Sequence, residues 1–224
     1  MKLSFASKNQ PEIPLQPDVI LASQSIGRKS LLEKLGIRFR TVVTRVDEEK
    51  IVDANPIKTI QKRAQAKADE VINNPRVYMV PEDRDVVIIT ADSMAVVGKK
   101  LYGKSIDRDD AKRILKELMG KTHVYVTAIT VTHLELGKVK KTWAKTVETK
   151  VTLGKLTVAE LESYVTRYDF TRFAAGYAIN ETPYTLVTKV DGSLTNVVGL
   201  PFEALLPILR AIKIIDAPPP EKVI

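Results

Sequence analysis

The spacing of apolar and polar positions divides the chain into alternating strands and helices. A short apolar run at 19–22 predicts a buried strand, and Leu31, Leu32 and Leu35 follow at helical spacing until Gly36. The same spacings predict strands at 39–43, 86–91, 123–136, 141–153, 174–179 and 185–190, and helices beginning at Pro56, after Asp107, after Thr157 and at Pro201. Because 123–136 and 141–153 flank a Gly-Lys turn as an antiparallel hairpin, we expect an α/β fold with a mixed β-sheet flanked by helices.

Both ends of the chain lack this periodicity. Residues 1–17 contain three prolines, and residues 214–224 include the run Asp-Ala-Pro-Pro-Pro. We therefore expect one folded domain at 18–213 between two tails. With 224 residues and 44% hydrophobic content, the chain can bury a substantial core.

The composition of the chain limits the kinds of metal site and the cellular location that we expect. The chain has no cysteine and two histidines, which excludes disulfides and thiolate zinc sites and leaves carboxylates as the expected ligands of any metal. No window holds about 18 uncharged apolar residues, and the first residues lack the apolar stretch of a secretory signal. We therefore expect a cytoplasmic protein that does not contact membranes.

The net charge of +8 and the pI near 9.5 favour an anionic partner, either nucleic acid or a polyphosphate. The lysines and arginines are dispersed along the chain, and an aromatic content of 6% offers no evident platform for stacking bases. We therefore expect no stable complex with nucleic acid.

One lysine occupies an apolar stripe of the helix that begins at Pro56. Lys67 shares its face with Ile60 and Ala64, whereas Lys62 and Arg63 are expected on the opposite side. Lys67 either extends to water along the helix surface or reaches a buried anion, and periodicity alone favours water.

Two further groups of side chains follow predicted strands. Asp92 comes directly after the run 86–91, and open α/β sheets bind ligands outside the carboxyl ends of their strands, although an aspartate there can equally cap a turn. Ser23, Ser25 and Arg28 surround the first strand-to-helix junction, where free backbone amides and a guanidinium can hold a phosphate. Ser25 can equally be the N-cap of that helix.

The acidic cluster and the two histidines indicate a functional role less strongly. Asp47, Glu48 and Glu49 form an acidic cluster that either binds Mg²⁺ or is simply solvated. His123 and His133 lie in predicted strands, where a structural or exposed role is favoured over a catalytic one.

Taken together, several segments resemble the Maf family of nucleotide pyrophosphatases, and the resemblance spans about residues 19–209. The matching segments are 21–29 with its serines and arginine, the acidic pair 47–48, the lysine helix 63–68, the aspartate motif 89–96, the Gly-Lys-Ser run 103–105, and the blocks 118–127 and 196–201. The combination is far more specific than any single motif.

The resemblance implies a Maf/inosine-triphosphatase-like fold with two lobes around a cleft, and a homodimer. It implies hydrolysis of a nucleoside triphosphate to the monophosphate and pyrophosphate with Mg²⁺ or Mn²⁺. The implied catalytic residues are Asp92, Lys67 and Lys104; Ser23, Ser25 and Arg28 would bind phosphates, Ser93 and Asn180 would read the base, and Glu48 with Asp92 would hold the metal.

Departures from the family pattern bear on the base. Members that prefer dTTP and UTP usually carry two adjacent arginines, a threonine after the aspartate and a Tyr-Gly-Ile-Gln run. In this chain these positions are Gly27-Arg28, Ser93 and Tyr177-Ala178-Ile179-Asn180, and Phe173 replaces a usual lysine. Three interpretations stay open: a dTTP/UTP pyrophosphatase, a pyrophosphatase for modified nucleotides such as 7-methyl-GTP, and a regulator of septum formation, the process after which the family is named.

Overall fold

The computed structural model describes residues 16–179 and 186–216. Its strands are β1 Asp18–Ala22, β2 Arg40–Val42, β3 Val86–Val97, β4 Lys100–Tyr102, β5 Thr122–Glu135, β6 Lys138–Leu153 and β7 Val187–Asp191. Its α-helices are α1 Ile26–Lys34, α2 Pro56–Asn73, α3 Arg108–Leu118, α4 Val158–Arg167, α5 Leu194–Val198 and α6 Phe202–Ala211, and a 3₁₀ turn spans Glu48–Lys50. None of these helices is both long enough and apolar enough to cross a membrane.

The strands form one mixed sheet of seven strands in the order β2-β1-β3-β5-β6-β7, with β4 paired to the end of β3. β1 is parallel to β2 and β3, and the remaining pairs are antiparallel. This arrangement confirms the predicted mixed α/β fold.

The long strand β3 has an open stretch along one edge. β1 pairs with its residues 86–89 and β4 with its residues 95–97, so no described strand covers residues 90–94 on that side. The opposite edge pairs continuously with β5 through Val96. Side chains from both faces of β3 therefore meet at one gap.

Helices cover both faces of the sheet around this gap. α2 packs Ile60 and Ala64 against one face. On the other face, α1 and α6 enclose one apolar cluster that includes Ile89, and α3 and α4 enclose a second cluster around Ala95. Because successive strand residues alternate between faces, Asp92 points towards α2 and Ser93 towards the space between the two clusters.

The predicted ends of the helices are confirmed where capping chemistry marks them. The side chain of Asp107 accepts a hydrogen bond from the amide of Asp110, and Thr157 forms a reciprocal capping box with Glu160. Pro56 occupies the first turn of α2.

Two predictions about strands are wrong. Residues 174–179 form a single bridge from Ala174 to Lys104, because Ala175 and Gly176 adopt positive φ angles of 62° and 71° that break an extended chain. The strand at 86–91 does not end before Asp92, because pairing with β5 carries it to Val97. The short helix α5 was not predicted.

Candidate active site

A cavity of about 860 Å³ opens at the gap in the edge of β3. Its walls come from the β1–α1 loop, the segment around the 3₁₀ turn, α2, β3, the loop after β4, residues 172–179 and α5. Eight of the nine site residues that the family resemblance implies line it: Ser23, Ser25, Arg28, Glu48, Lys67, Asp92, Ser93 and Lys104. The ninth, Asn180, lies outside the described residues.

Lys67 forms the centre of the acidic part of the cavity. Its ammonium nitrogen Nζ lies 2.8 Å from Glu48 Oε2 and 3.3 Å from Asp92 Oδ1, and it donates to the carbonyl oxygen of Ala91 at 3.3 Å. Only 7% of the residue is exposed. The interpretation that Lys67 extends to water is therefore wrong, and the alternative of a buried anion is confirmed.

α2 is held in place for this contact by a second hydrogen bond to β3. The hydroxyl of Thr90 donates to the carbonyl oxygen of Ala64 at 2.7 Å, which fixes the helix one turn before Lys67. The apolar stripe of α2 thus places Lys67 against the acidic side chain of β3.

The two carboxylate oxygens of Asp92 differ in their hydrogen bonding. Oδ1 accepts from Lys67, while the buried Oδ2 has no hydrogen-bond partner among the described residues. No described backbone amide donates to Asp92, so the turn-capping interpretation is wrong. A buried acceptor of this kind that lines a cavity is suited to a water molecule, a proton or a cation.

The two carboxylates around Lys67 suit a hard divalent cation. Among residues 16–179 and 186–216, no group of three or more acidic, histidine or cysteine side chains is placed to hold a metal. Mg²⁺ commonly takes one or two protein carboxylates and fills its other positions with water and substrate phosphate. Glu48 and the free oxygen of Asp92 fit that limited requirement.

Arg28 connects three parts of the cavity wall. Its guanidinium donates to Ser23 Oγ at 2.9 Å, to Ser93 Oγ at 2.8 Å and to the carbonyl oxygen of Gly199 at 3.0 Å. Burial lowers the pKa of Arg28, and the charge of Asp92 partly opposes that shift. With three of its five N–H groups engaged, Arg28 fixes the β1–α1 loop against β3 and α5 and keeps two donors for a ligand.

Both interpretations of the first serines have structural support. Ser25 is the N-cap of α1, since its hydroxyl accepts from the amide of Arg28 at 3.4 Å, and its own amide donates to Ser23 Oγ at 3.2 Å. Ser23, which capping does not explain, faces the cavity beside Arg28.

Lys104 adds a further positive charge from the loop after β4. Partial desolvation, followed by the nearby charge of Arg28, lowers the pKa of Lys104. A bound anion beside Lys104 would favour its charged form and oppose this shift.

The far wall of the cavity is largely apolar and aromatic. Ser93 contacts Thr127 Oγ1 at 2.9 Å, and beyond it the wall consists of Tyr125, Tyr177, Ile179 and Val197. Burial raises the pKa of Tyr125 to about 12, so this phenol stays neutral at physiological pH. A flat, partly polar group fits this wall better than a chain of phosphates.

Arg63 is a residue of the cavity that sequence reasoning placed wrongly. It was expected on the exposed side of α2, but it is 4% exposed and lines the cavity. The missed signal was its position four residues before Lys67, which puts both cations on one face of the helix.

The two histidines are structural, as the favoured interpretation predicted. His123 Nε2 lies 2.8 Å from the hydroxyl of Tyr177, and His133 Nε2 lies 2.9 Å from Asp85 Oδ2. Of the remaining acidic cluster, Asp47 pairs with Lys50 at 2.9 Å and Glu49 is exposed.

A mixed-sheet α/β fold with a cationic cleft at a gap in the sheet defines the structural class of this protein. The family model described as "Maf-like protein" matches residues 18–212. The chain belongs to the Maf family.

Relatives in that family cover most of the chain. The dTTP/UTP pyrophosphatase of Aquifex aeolicus is 34% identical over 197 residues, covering 88% of this chain and 96% of that protein. The dTTP/UTP pyrophosphatase of Alkaliphilus metalliredigens is 35% identical over 192 residues, covering 86% and 94%. The solved structure of a HAM1 protein from Coxiella burnetii aligns with 63% of this chain and 75% of that one at a TM-score of 0.37 and 11% identity.

Proposed function

We propose that the protein is a nucleoside triphosphate pyrophosphatase, which hydrolyses its substrate to the monophosphate and pyrophosphate. The observation that carries the proposal is the cavity in which Asp92, with one free buried oxygen, lies beside Lys67, Lys104 and Arg28. The relatives' names support the same reaction. A cytoplasmic location and a homodimer belong to the proposal on the family resemblance alone.

Asp92 acts as the general base in this proposal. Lys67 holds Oδ1 and thereby orients the carboxylate, and Oδ2 accepts the proton of the water that attacks the α-phosphorus. Glu48 and Asp92 would hold Mg²⁺ or Mn²⁺, which would offset phosphate charge and polarise the attacking water.

The cations of the cavity bind the phosphates and stabilise the charge that develops on the leaving oxygen. Lys67, Lys104 and the free donors of Arg28 face the cavity together with the hydroxyls of Ser23 and Ser25 at the N-terminus of α1. No covalent enzyme intermediate is needed, because the attacking group is water.

The aromatic wall receives the base. The name dTTP/UTP pyrophosphatase that the relatives carry supports thymine or uracil as this base. A modified base such as that of 7-methyl-GTP is the second candidate, because Gly27 and Ser93 are shorter than the residues usual in dTTP/UTP-preferring members and the cavity measures about 860 Å³. Ser93 lies where it can contact either base, and the proposal gives Asn180 the same role.

A substrate panel tests the proposal. The purified protein is incubated with dTTP, UTP, the other common triphosphates and 7-methyl-GTP, each with Mg²⁺, Mn²⁺ or chelator, and the products are separated by chromatography. We expect monophosphate and pyrophosphate from dTTP, UTP or a modified triphosphate, with little turnover in chelator. Release of diphosphate and orthophosphate from every substrate that reacts would contradict the proposal.

A further inference from the structure

Arg63 is a buried cation that lacks a close anionic partner among the described residues. Its side chain is 5% exposed. Its Nε donates to the carbonyl oxygen of Ile51 at 3.1 Å, its Nη1 lies 3.9 Å from Met94 Sδ, and its Nη2 lies 3.9 Å from Glu49 Oε2. The Glu49 side chain is 90% exposed, so water largely screens that single acidic contact.

The other buried cations of the cavity are better satisfied. Lys67 contacts two carboxylates at 2.8 and 3.3 Å. Arg28 donates to three oxygen atoms within 3.0 Å. A guanidinium is charged at neutral pH, and burying such a charge is costly unless a partner compensates it. Both terminal nitrogens of Arg63 therefore have unused capacity for an anion.

The position of Arg63 defines where that anion lies. Arg63 lies four residues before Lys67 on α2, a rise of about 6 Å along the helix. Its neighbour Met94 lies two residues beyond Asp92 on the same face of β3, about 7 Å along the strand. A polyphosphate whose reacting phosphorus lies beside Asp92 and Lys67 therefore reaches Arg63 with its later phosphates.

We propose that Arg63 binds the β- and γ-phosphates of the substrate and holds them as the leaving pyrophosphate. The proposal rests on the proposed pyrophosphatase function. The planar guanidinium offers two parallel N–H donors to phosphate oxygens, which a lysine at this position would not. Arg63 would thus help to select triphosphates over monophosphates.

A structural role for Arg63 predicts a different result. Through Ile51 and Glu49, Arg63 also holds the segment that carries Glu48, so its loss could act only through a displaced metal ligand. Binding measured in excess chelator removes the metal from that route, and the amide of Arg63→Gln, which can still donate to Ile51, keeps the segment with Glu48 beside Lys67. A direct contact with phosphate persists under the same conditions.

Calorimetric titration of the full-length protein with inorganic pyrophosphate and with dTMP, in chelator, tests the proposal. Arg63→Gln removes the charge but keeps an amide that can donate towards Ile51. We expect its affinity for pyrophosphate to fall at least about tenfold, the usual scale for one charged hydrogen bond, and its affinity for dTMP to change less than about twofold.

Lys62→Gln is the matched control, because Lys62 is the preceding residue, has an exposed side chain and pairs with Asp53. It loses the same charge, and both its affinities should stay within about twofold of the parent. Arg63→Lys keeps a positive charge without the planar fork, so we expect a smaller loss of pyrophosphate affinity than in Arg63→Gln. Thermal unfolding of each variant checks that it is folded.

The proposal is overturned if the parent does not bind pyrophosphate in chelator, if Arg63→Gln binds it within about twofold of the parent, or if pyrophosphate and dTMP affinities fall equally. Failure of the proposed function would show separately, as the absence of pyrophosphate among the products of the parent enzyme. The calorimetry does not depend on turnover, so the two failures are distinguishable.

Discussion

The buried contact between Lys67 and Asp92 combines two requirements in a few atoms. Lys67 compensates the charge of Asp92 Oδ1, and Oδ2 stays available for chemistry. Stability and activity therefore respond differently to each partner, and substitutions of Asp92 and Lys67 test this at the scale of single residues.

Asp92→Asn should abolish most activity and leave stability almost unchanged. Asparagine has nearly the same shape, and Lys67 keeps Glu48 as a partner at 2.8 Å. Loss of a positioned base typically costs about 10² to 10⁴ in rate. Steady-state kinetics at saturating Mg²⁺, with urea unfolding as the stability control, measure both effects. More than about half of the parental turnover in this variant would remove Asp92 from the mechanism.

Lys67→Met should lower both activity and the free energy of unfolding. The substitution leaves the Asp92 carboxylate, with a side chain 9% exposed, without its cation, which costs on the order of 3 kcal/mol. Adding Asp92→Asn to the Lys67→Met variant should restore at least about 1 kcal/mol of the free energy of unfolding, because the unpaired carboxylate charge is then gone. Strictly additive losses in the double variant would show that the two side chains are not coupled.

His123 should make stability depend on pH. Burial lowers its pKa from 6.5 to about 4, so between these values the unfolded chain binds a proton that the folded protein does not. The contribution is fully present above about pH 6.5 and is lost as the pH falls towards 4, with a slope of at most about 1.4 kcal/mol per pH unit. Urea unfolding between pH 7 and 4.5 should give a flatter profile for His123→Gln than for the parent. Equal slopes would assign the pH dependence to other groups.

At the scale of elements, the contact between α1 and the end of α5 positions Arg28. A Cβ atom added at Gly27 would lie 2.7 Å from the carbonyl oxygen of Val198, next to the Gly199 carbonyl that accepts from Arg28. The chain therefore carries glycine at this position for close packing, and an arginine, usual in dTTP/UTP-preferring members, would not fit without moving α5.

Gly27→Ala should destabilise the protein by about 1–2 kcal/mol, although alanine favours a helix. The new methyl group meets backbone, which cannot rotate away, and overpacking of that kind typically costs more than helix propensity returns. Thermal unfolding measures the change, and Lys29→Ala, at an exposed position of the same helix, is the control. A gain in stability would contradict the close packing of α1 and α5.

The sequence predicts those elements whose ends have their own chemistry. Asp107, Thr157 and Pro56 mark helix starts that the structure confirms, and the turn at Gly137 marks the hairpin of β5 and β6. The missed features depend on tertiary contacts. β3 continues past Ala91 only because β5 pairs with it, and Ala175 adopts a positive φ angle that its residue type did not indicate.

The sequence predicted which residues form the candidate site better than it predicted the contacts between them. Motif resemblance named Glu48, Lys67 and Asp92, and the structure brings them together. Periodicity misjudged the exposure of Lys67 and the face of Arg63, because it does not show that the segment at 47–51 lies against α2. The two donors that Arg28 keeps free likewise depend on distant partners such as Gly199.

At the scale of the whole molecule, the gap in the edge of β3 explains why the site lies in the middle of a strand. β1 ends at Ala22 while β3 continues, so the β1–α1 loop, α2 and the loop after β4 all meet at residues 90–94. The cationic side chains that line this gap contribute to the net charge of +8 on the chain. A polyphosphate thus meets converging cations beside the free Oδ2 of Asp92.

The central claim is that water attacks the α-phosphorus, and hydrolysis in ¹⁸O-labelled water tests it most directly. The substrate that turns over fastest is hydrolysed in H₂¹⁸O, and both products are analysed by mass spectrometry. Attack at the α-phosphorus places one ¹⁸O atom in the nucleoside monophosphate and none in the pyrophosphate. Label in the pyrophosphate, or in released orthophosphate, would place the attack at another phosphorus and contradict the proposed roles of Asp92 and the cations around it.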